Sequence, residues 1–377
     1  MKIVIAPDSF KECLTAAQVA SAIETGFKEI LPDAEYVKVP VADGGEGTLQ
    51  SLVDATGGRL IEVPVTGPLG NQIQAELGVL GDGKTAVIEM ARASGLELVS
   101  LEHRNPMIAT TYGTGELIHS ALDMGVEKII VGIGGSATND GGAGMMQALG
   151  VRLLDDHGKE LLYGGGQLHN LCRIDTTKMD QRLQSVEFIA ACDVDNPLTG
   201  ENGASAIFGP QKGATEAMVK ALDQSLEHYA LIMERDLGVS VRDVPGAGAA
   251  GGMGAALLGY LNARLEPGIE IVMDAVDLAE KVKGANLVIT GEGRIDGQTA
   301  QGKTPVGVAR IAKSADLPVV ALAGSVGQGV DAVYSQGIDA LFPVVHGAVT
   351  LEQALKKGKE NLIRAARNLA AALTMKL

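Results

Sequence analysis

Tryptophan is absent from this 377-residue chain, aromatic residues make up only 3% of it, and cysteine occurs three times. An interior without large rings must be filled by Ala, Val, Ile and Leu, and the 46% of apolar residues suffices for that. Cys13, Cys172 and Cys192 are odd in number and far apart. That argues against a disulfide framework or a cysteine zinc site and suits reduced thiols in a cytosolic protein. Positive charge is also scarce: 31 Lys and Arg stand against 46 Asp and Glu, a net charge of −15. Nucleic acid and anionic membrane surfaces need basic partners, so neither is expected. No apolar run approaches the roughly 20 residues of a membrane helix. The opening "MKIVIAPDSF" has too short an apolar stretch for a signal peptide. The six histidines (His103, His119, His157, His169, His228 and His346) show no metal-ligand spacing, and there is no G-x-S-x-G elbow.

Glycine, by contrast, is plentiful: 50 residues, without collagen's period and mixed with apolar runs. They punctuate an alternation of strands and helices. "KIVIA" (2–6) reads as a buried strand. Thr15 and Gln18 form a capping box for a helix to about Glu29, "YVKVPVA" reads as a second strand, and a helix then runs to the Gly57–Gly58 stop. The C-terminal part repeats this rhythm: strands in "ANLVIT", "LPVVALAG" and "DALFPVV", helices at "TPVGVARIAKSA", near 328–336 and from Leu351. Between them, "RLIEVPV", "QIQAELGVL" and "KTAVIEM" read as an antiparallel meander. Alternation then resumes through "KIIVGI" and "VEFIAAC". A chain this long exceeds one ordinary core. The expected architecture is two α/β domains: a parallel-sheet domain from both chain ends, 1–57 plus 285–377, and an inserted mixed α/β domain, 58–284.

Three glycine stretches match nucleotide-binding patterns. "GQTAQGKT" (297–304) fits the P-loop, "GIGGSA" (132–137) fits G-x-G-x-x-A, and "GAGAAG" (246–251) fits G-x-G-x-x-G. The Rossmann reading needs a helix starting inside the motif, but "TNDGGAG" follows "GIGGSA". Asp155 and Asp156 fall where a ribose-binding acid is sought, yet "LLDDHGK" reads equally well as a strand and turn. The P-loop reading meets "EGRID" between strand and Gly297, and no downstream strand ends in the required Asp. What survives is a glycine loop feeding a helix start beside Lys303, which favours an anion.

Carboxylates recur after the strands. Asp8, Ser9 and Lys11 follow the first; Asp43 and Glu46 follow the second; Asp193, Asp195 and Asn196 follow the strand at 187–192; Glu292, Arg294 and Asp296 follow the one at 286–290. Ligands of open α/β sheets bind at the carboxyl ends of strands, so these loops are expected to converge in a cleft between the domains. Carboxylates, glycine loops and a few cations are the equipment of phosphoryl transfer.

"KIVIAPDSFKECLTA", "VADGGEGT", "GIGGSATNDGGAG", "CDVDNPL", "FGPQKGA", "GAGAAGGMG" and "TGEGRIDGQTAQGKTPVGVA", in that order, resemble the bacterial glycerate kinase family. The resemblance implies a flavodoxin-like domain with a second α/β domain inserted, the site between them, and ATP-dependent phosphorylation of D-glycerate. The product it implies is 2-phosphoglycerate, with 3-phosphoglycerate as the alternative. A dinucleotide-dependent oxidoreductase of a small hydroxy acid is the competing function. Candidate roles follow: Asp193 as base; Asp195 and Asp43 as magnesium ligands; Lys11, Arg294 and Lys303 for anion contacts. The loop Gly134, Gly135, Ser136, Thr138, Asn139 and Gly141 is the candidate phosphate nest. Asp8, Ser9, Glu46, Asn196 and Asp296 are candidates for the substrate or magnesium. No feature fixes the number of subunits.

Overall fold

The computed structural model describes residues 1–375 except Asp43 and Glu46. The chain forms two compact units, Met1–Gly57 with Ile269–Leu377, and Gly58–Gly268.

The first unit is built on five strands in the order Ala340–Pro343, Val319–Val326, Leu287–Ile295, Lys2–Ile5, Glu35–Lys38, every pair parallel. Numbered along the chain, that is the flavodoxin-like order 2-1-3-4-5. The central strands are short apolar runs because both faces are covered: Ile3, Val4, Ile5, Val288 and Ile289 have no exposed surface. On one face Ile3, Ile5, Leu287, Ile289 and Leu322 pack against Val19, Ile23 and Phe27 of the helix Ala16–Lys28 and against Leu362 and Ala366 of the helix Gly358–Leu373. Each such buried side chain contributes roughly 1.5–3 kcal/mol. The capping box forms as expected: Gln18 N donates to Thr15 Oγ1 at 3.2 Å, and Thr15 N donates to Gln18 Oε1 at 3.0 Å.

Several elements differ from the sequence reading. The stretch near 328–336 is a 3-10 helix, Val330–Gln336. The last helix is two, Leu351–Lys356 and Gly358–Leu373. The second strand stops at Lys38, before Pro40 can remove a ladder donor. Most consequential, "GEGRI" is not loop. The strand continues to Ile295, with Glu292 beside Ala323 and Arg294 beside Ser325. The strand therefore ends two residues before Gly297, and distance no longer counts against a P-loop. The missing acid still does: Val319–Val326 and Ala340–Pro343 are followed by Gly327 and Val344.

The second unit carries a six-stranded sheet in the order Arg264–Glu266, Glu187–Ala191, Lys128–Gly132, Thr85–Glu89, Gln72–Val79, Arg59–Thr66. The expected meander is present, but its third strand also pairs in parallel with Lys128–Gly132 and joins it to the rest. The four strands from Thr85–Glu89 to Arg264–Glu266 are mutually parallel, so their carboxyl ends lie along one edge.

Candidate active site

In the first unit the chain reverses direction across the sheet between Lys2–Ile5 and Leu287–Ile295, the point where doubly wound sheets bind ligands. Asp8 leaves the first of these strands. Its N–H donates to Gly291 O at 2.8 Å, and its carboxylate accepts from Ser9 N at 2.6 Å and from Thr304 Oγ1 at 2.6 Å. Thr304 is the first residue of the helix Thr304–Ser314. The carboxylate that meets the threonine of "GKT" thus comes from upstream in sequence. Asp296 closes a turn: it accepts from Gln298 N at 2.9 Å and from Arg294 Nε at 3.0 Å. The Gln298 N–H and the Arg294 charge hold its carboxyl below the usual range. Glu292 is buried and accepts from Thr299 Oγ1 at 2.5 Å. Lys303 caps the helix Thr304–Ser314, half-buried, while Lys11 and Arg294 are exposed. Asp43 and Glu46 lie outside the described residues.

In the second unit two of the predicted loops start side by side, because Gly132 pairs with Ala191 across adjacent parallel strands. Asp193 is exposed, and its Oδ1 accepts from Gly268 N at 2.9 Å, just beyond the neighbouring strand. Asp195 is exposed on the same loop. Burial first, and then the charges of Asp193 and Asp195, push the Cys192 thiol up, so it stays protonated. Asn196 donates from Nδ2 to Asn202 O at 2.8 Å and accepts Gly248 N at 3.0 Å, which ties the loop down.

The six residues of the expected phosphate nest divide. Gly134 and Gly135 are exposed, while Ser136, Thr138, Asn139 and Gly141 are buried. The backbone is pinned on one side, with Leu96 N donating to Gly135 O at 2.8 Å and Ala137 N to Ser94 O at 2.9 Å. Gly141 N donates to Gly251 O at 3.0 Å, so that amide is engaged within the protein. The second glycine stretch therefore serves as a support for the first. It reaches that position through three consecutive left-handed residues, Ala250, Gly251 and Gly252, with φ of 52°, 68° and 91°.

Sequence reasoning missed Lys212 and Asp140. Lys212 ends the 3-10 turn Pro210–Lys212, is 1% exposed, and donates to Ser136 Oγ at 2.7 Å and Thr138 O at 2.6 Å. Asp140 has no exposed surface and accepts from Thr111 N at 2.9 Å, Thr111 Oγ1 at 2.8 Å, Gly142 N at 3.2 Å and Gly144 N at 3.3 Å. A lysine in "PQKG" reads as a solvated turn residue, and "TNDGG" as ordinary turn chemistry. The one available signal was that both fall in segments carrying the family resemblance.

Burial pulls the Lys212 ammonium down to about 7 against the attraction of Asp140, and burial pushes the Asp140 carboxyl up despite its four donors. A lysine pKa lower in the folded state than in the unfolded one means that the unfolded chain holds more protons in the window between. Stability therefore rises with pH from about 7 toward the ordinary lysine value of 10.5. Wild-type Tm minus that of Lys212→Met should increase from pH 7 to pH 9. A difference flat across that range would show that Lys212 titrates normally.

Asp155 accepts from His157 N at 2.9 Å and Lys159 N at 2.8 Å, closing a tight turn. No helix follows "GIGGSA" until Ala143–Ala148. The dinucleotide reading finds no support here. Among the described residues no three His, Cys, Asp or Glu side chains cluster as a metal cage, and no helix is long and apolar enough to cross a membrane.

Glycine loops at the ends of parallel strands, a cation buried behind one of them and exposed carboxylates on the next are the equipment of an α/β enzyme acting on anionic small molecules. The model of the glycerate kinase family matches residues 3–374. A glycerate kinase of Bacillus subtilis (strain 168) is 60% identical over 375 residues, covering 100% of this chain and 98% of that protein. The glycerate 2-kinase of Escherichia coli (strain K12) is 57% identical over 375 residues, covering 100% and 98%. The crystal structure of a candidate glycerate kinase 2 from Salmonella typhimurium LT2 is 56% identical, covers 99% of this chain and 98% of its own, and superposes with a TM-score of 0.93. The chain belongs to the glycerate kinase family.

Proposed function

We propose that this protein transfers the γ-phosphoryl group of ATP to the 2-hydroxyl of D-glycerate, giving ADP and 2-phosphoglycerate. The observation that carries the mechanism is the Gly132–Ala191 register, which starts the glycine loop and the Asp193 loop side by side. Phosphoryl transfer needs little from the protein beyond positioning and charge stabilisation, and those are what two such loops supply. The exposed amides of Gly134 and Gly135 and the Ser136 hydroxyl take phosphate oxygens. Asp193, oriented by the Gly268 N–H, accepts the proton of the 2-hydroxyl as that oxygen bonds to the γ-phosphorus. The bond from the γ-phosphorus to the bridging oxygen breaks, and ADP leaves with those electrons. The 57% identity to a protein named glycerate 2-kinase favours the 2-position over the 3-position.

Magnesium suits the residues present. Asp195 and Asp193 are exposed hard-oxygen donors two residues apart, and a cation that arrives with phosphates needs only one or two carboxylates rather than a cage. Asp195 would hold it. When bound, it would neutralise charge on the β- and γ-phosphate oxygens. Lys11, Lys303 and Arg294 are assigned to anions of the substrates, with Asp8 fixing the helix start beside Lys303 through Thr304. Lys303→Ala should raise KM for D-glycerate or ATP roughly tenfold, about 1.4 kcal/mol of binding. Unchanged KM and kcat would return Lys303 to an ordinary helix cap.

Incubation with ATP, Mg²⁺ and D-glycerate should release ADP in proportion to glycerate consumed. ADP release no faster than without glycerate would overturn the reading.

A further inference from the structure

The Lys212–Ser136 contact carries an inference beyond the family's activity. A lysine is almost never fully buried without a reason, because desolvating an ammonium is costly and an apolar side chain of similar size packs as well or better. Lys212 stays buried to make two hydrogen bonds, both to the glycine loop. In its protonated form Lys212 has donors only, and Ser136 Oγ is then the acceptor. Its own hydrogen is then left to donate, and among the described residues nothing accepts it. The same loop holds two further buried oxygens without a partner among the described residues, Thr138 Oγ1 and Asn139 Oδ1. Buried groups of this kind are normally satisfied, by the protein, by ordered water or by a bound ligand.

We propose that Lys212 is a positioning residue for phosphoryl transfer: it holds Ser136 so that the serine hydroxyl donates to a phosphate oxygen of the nucleotide. This rests on the kinase reading above. When protonated, the ammonium lies behind the loop and acts on the phosphate through the Ser136 hydroxyl. In a chain with a net charge of −15, such a cation is a local remedy for a global excess of acid. Ser136 is 7% exposed, and its backbone is pinned to Ser94 and Leu96 through Gly135 and Ala137, so only the side-chain rotamer remains to be set. Lys212 sets it. A hydroxyl donor polarised by a cation on its lone pair is a stronger donor than an isolated serine.

The test is a double-mutant cycle in the full chain with ATP, Mg²⁺ and D-glycerate. Ser136→Ala and Lys212→Met should each lower kcat on the order of 10- to 100-fold, as losing one donor to a developing charge does. KM for D-glycerate should move less than threefold. Lys212→Met in the Ser136→Ala background should cost less than threefold more, because both changes remove the same donated hydrogen bond. Ser136→Thr, which keeps the hydroxyl, should recover most of the rate. Ser136→Ala removes one atom near the surface, so it keeps the test decisive if Lys212→Met folds poorly. If wild type turns over and Ser136→Ala matches it, or if the two losses multiply, the proposal is wrong while the kinase reading stands. If wild type releases no ADP with glycerate, both fall.

Discussion

Asp193→Asn should fold as wild type, bind ATP with similar affinity and lose on the order of 10²- to 10⁴-fold in kcat, the range for a removed general base. The substitution keeps the side chain's size, and the amide oxygen can still accept the Gly268 N–H that Asp193 Oδ1 accepts at 2.9 Å. What it removes is the ability to take a proton and one unit of negative charge. Steady-state kinetics separates the two losses. A base acts in the chemical step, so kcat falls while KM for glycerate holds. If Asp193 served only to fix the loop, Asn would serve as well and turnover would stay near normal. Asp195→Asn is the comparison: its effect should lessen as Mg²⁺ is raised, whereas that of Asp193→Asn should not.

Gly251→Ala should cost on the order of 2–5 kcal/mol and remove most activity. Two effects add. The residue has φ +68°, where an L side chain is strained by about 1–2 kcal/mol. A methyl there would also press into Thr138 O and Asn139 Cα, both backbone atoms of the glycine loop, and overpacking of that kind costs about 1–3 kcal/mol. Thr138 O is one of the two acceptors of Lys212, so the loop cannot yield without disturbing the buried cation. Gly238→Ala isolates the terms: its φ is +72°, nearly the same, with nothing within 4 Å of the added methyl. Thermal or urea unfolding should show Gly238→Ala losing about 1–2 kcal/mol with activity intact. Equal losses for the two variants would mean that the contact with Thr138 O is not tight in solution.

The fold was largely legible, and the reasons are local. Apolar runs of four or five residues bounded by Gly, Pro or Asp gave the strands, and the Thr15–Gln18 box forms as read. The strand order was beyond composition and entered through the family resemblance. "GEGRI" misled because glycine and charge normally end a strand. Here Gly291 lies against the backbone of Leu322, closer than a Cβ would allow, and Glu292 and Arg294 alternate along a strand whose last residue, Ile295, is again buried. Of the candidate site, the loops could be proposed from the sequence and the buried cation could not. Exposed candidates such as Lys11 and Arg294 announce themselves by charge type, whereas the role of Lys212 depends on a turn 74 and 76 residues away from its acceptors folding over them. Periodicity and motif spacing carry no trace of that contact. The three glycine patterns were equally ambiguous in sequence. The structure separates them into an exposed loop at Gly134–Gly135, its support at Gly251, and a helix start at Lys303.

The central claim is that phosphate passes from ATP to the 2-hydroxyl of D-glycerate, and phosphorus NMR of the product reads it directly. A phosphate ester on the 2-carbon has one proton across the ester oxygen, so its proton-coupled signal is a doublet; an ester on the 3-carbon has two and gives a triplet. The account predicts a doublet that grows with ADP. A triplet would contradict the assigned acceptor, and no new ester signal would contradict the activity itself.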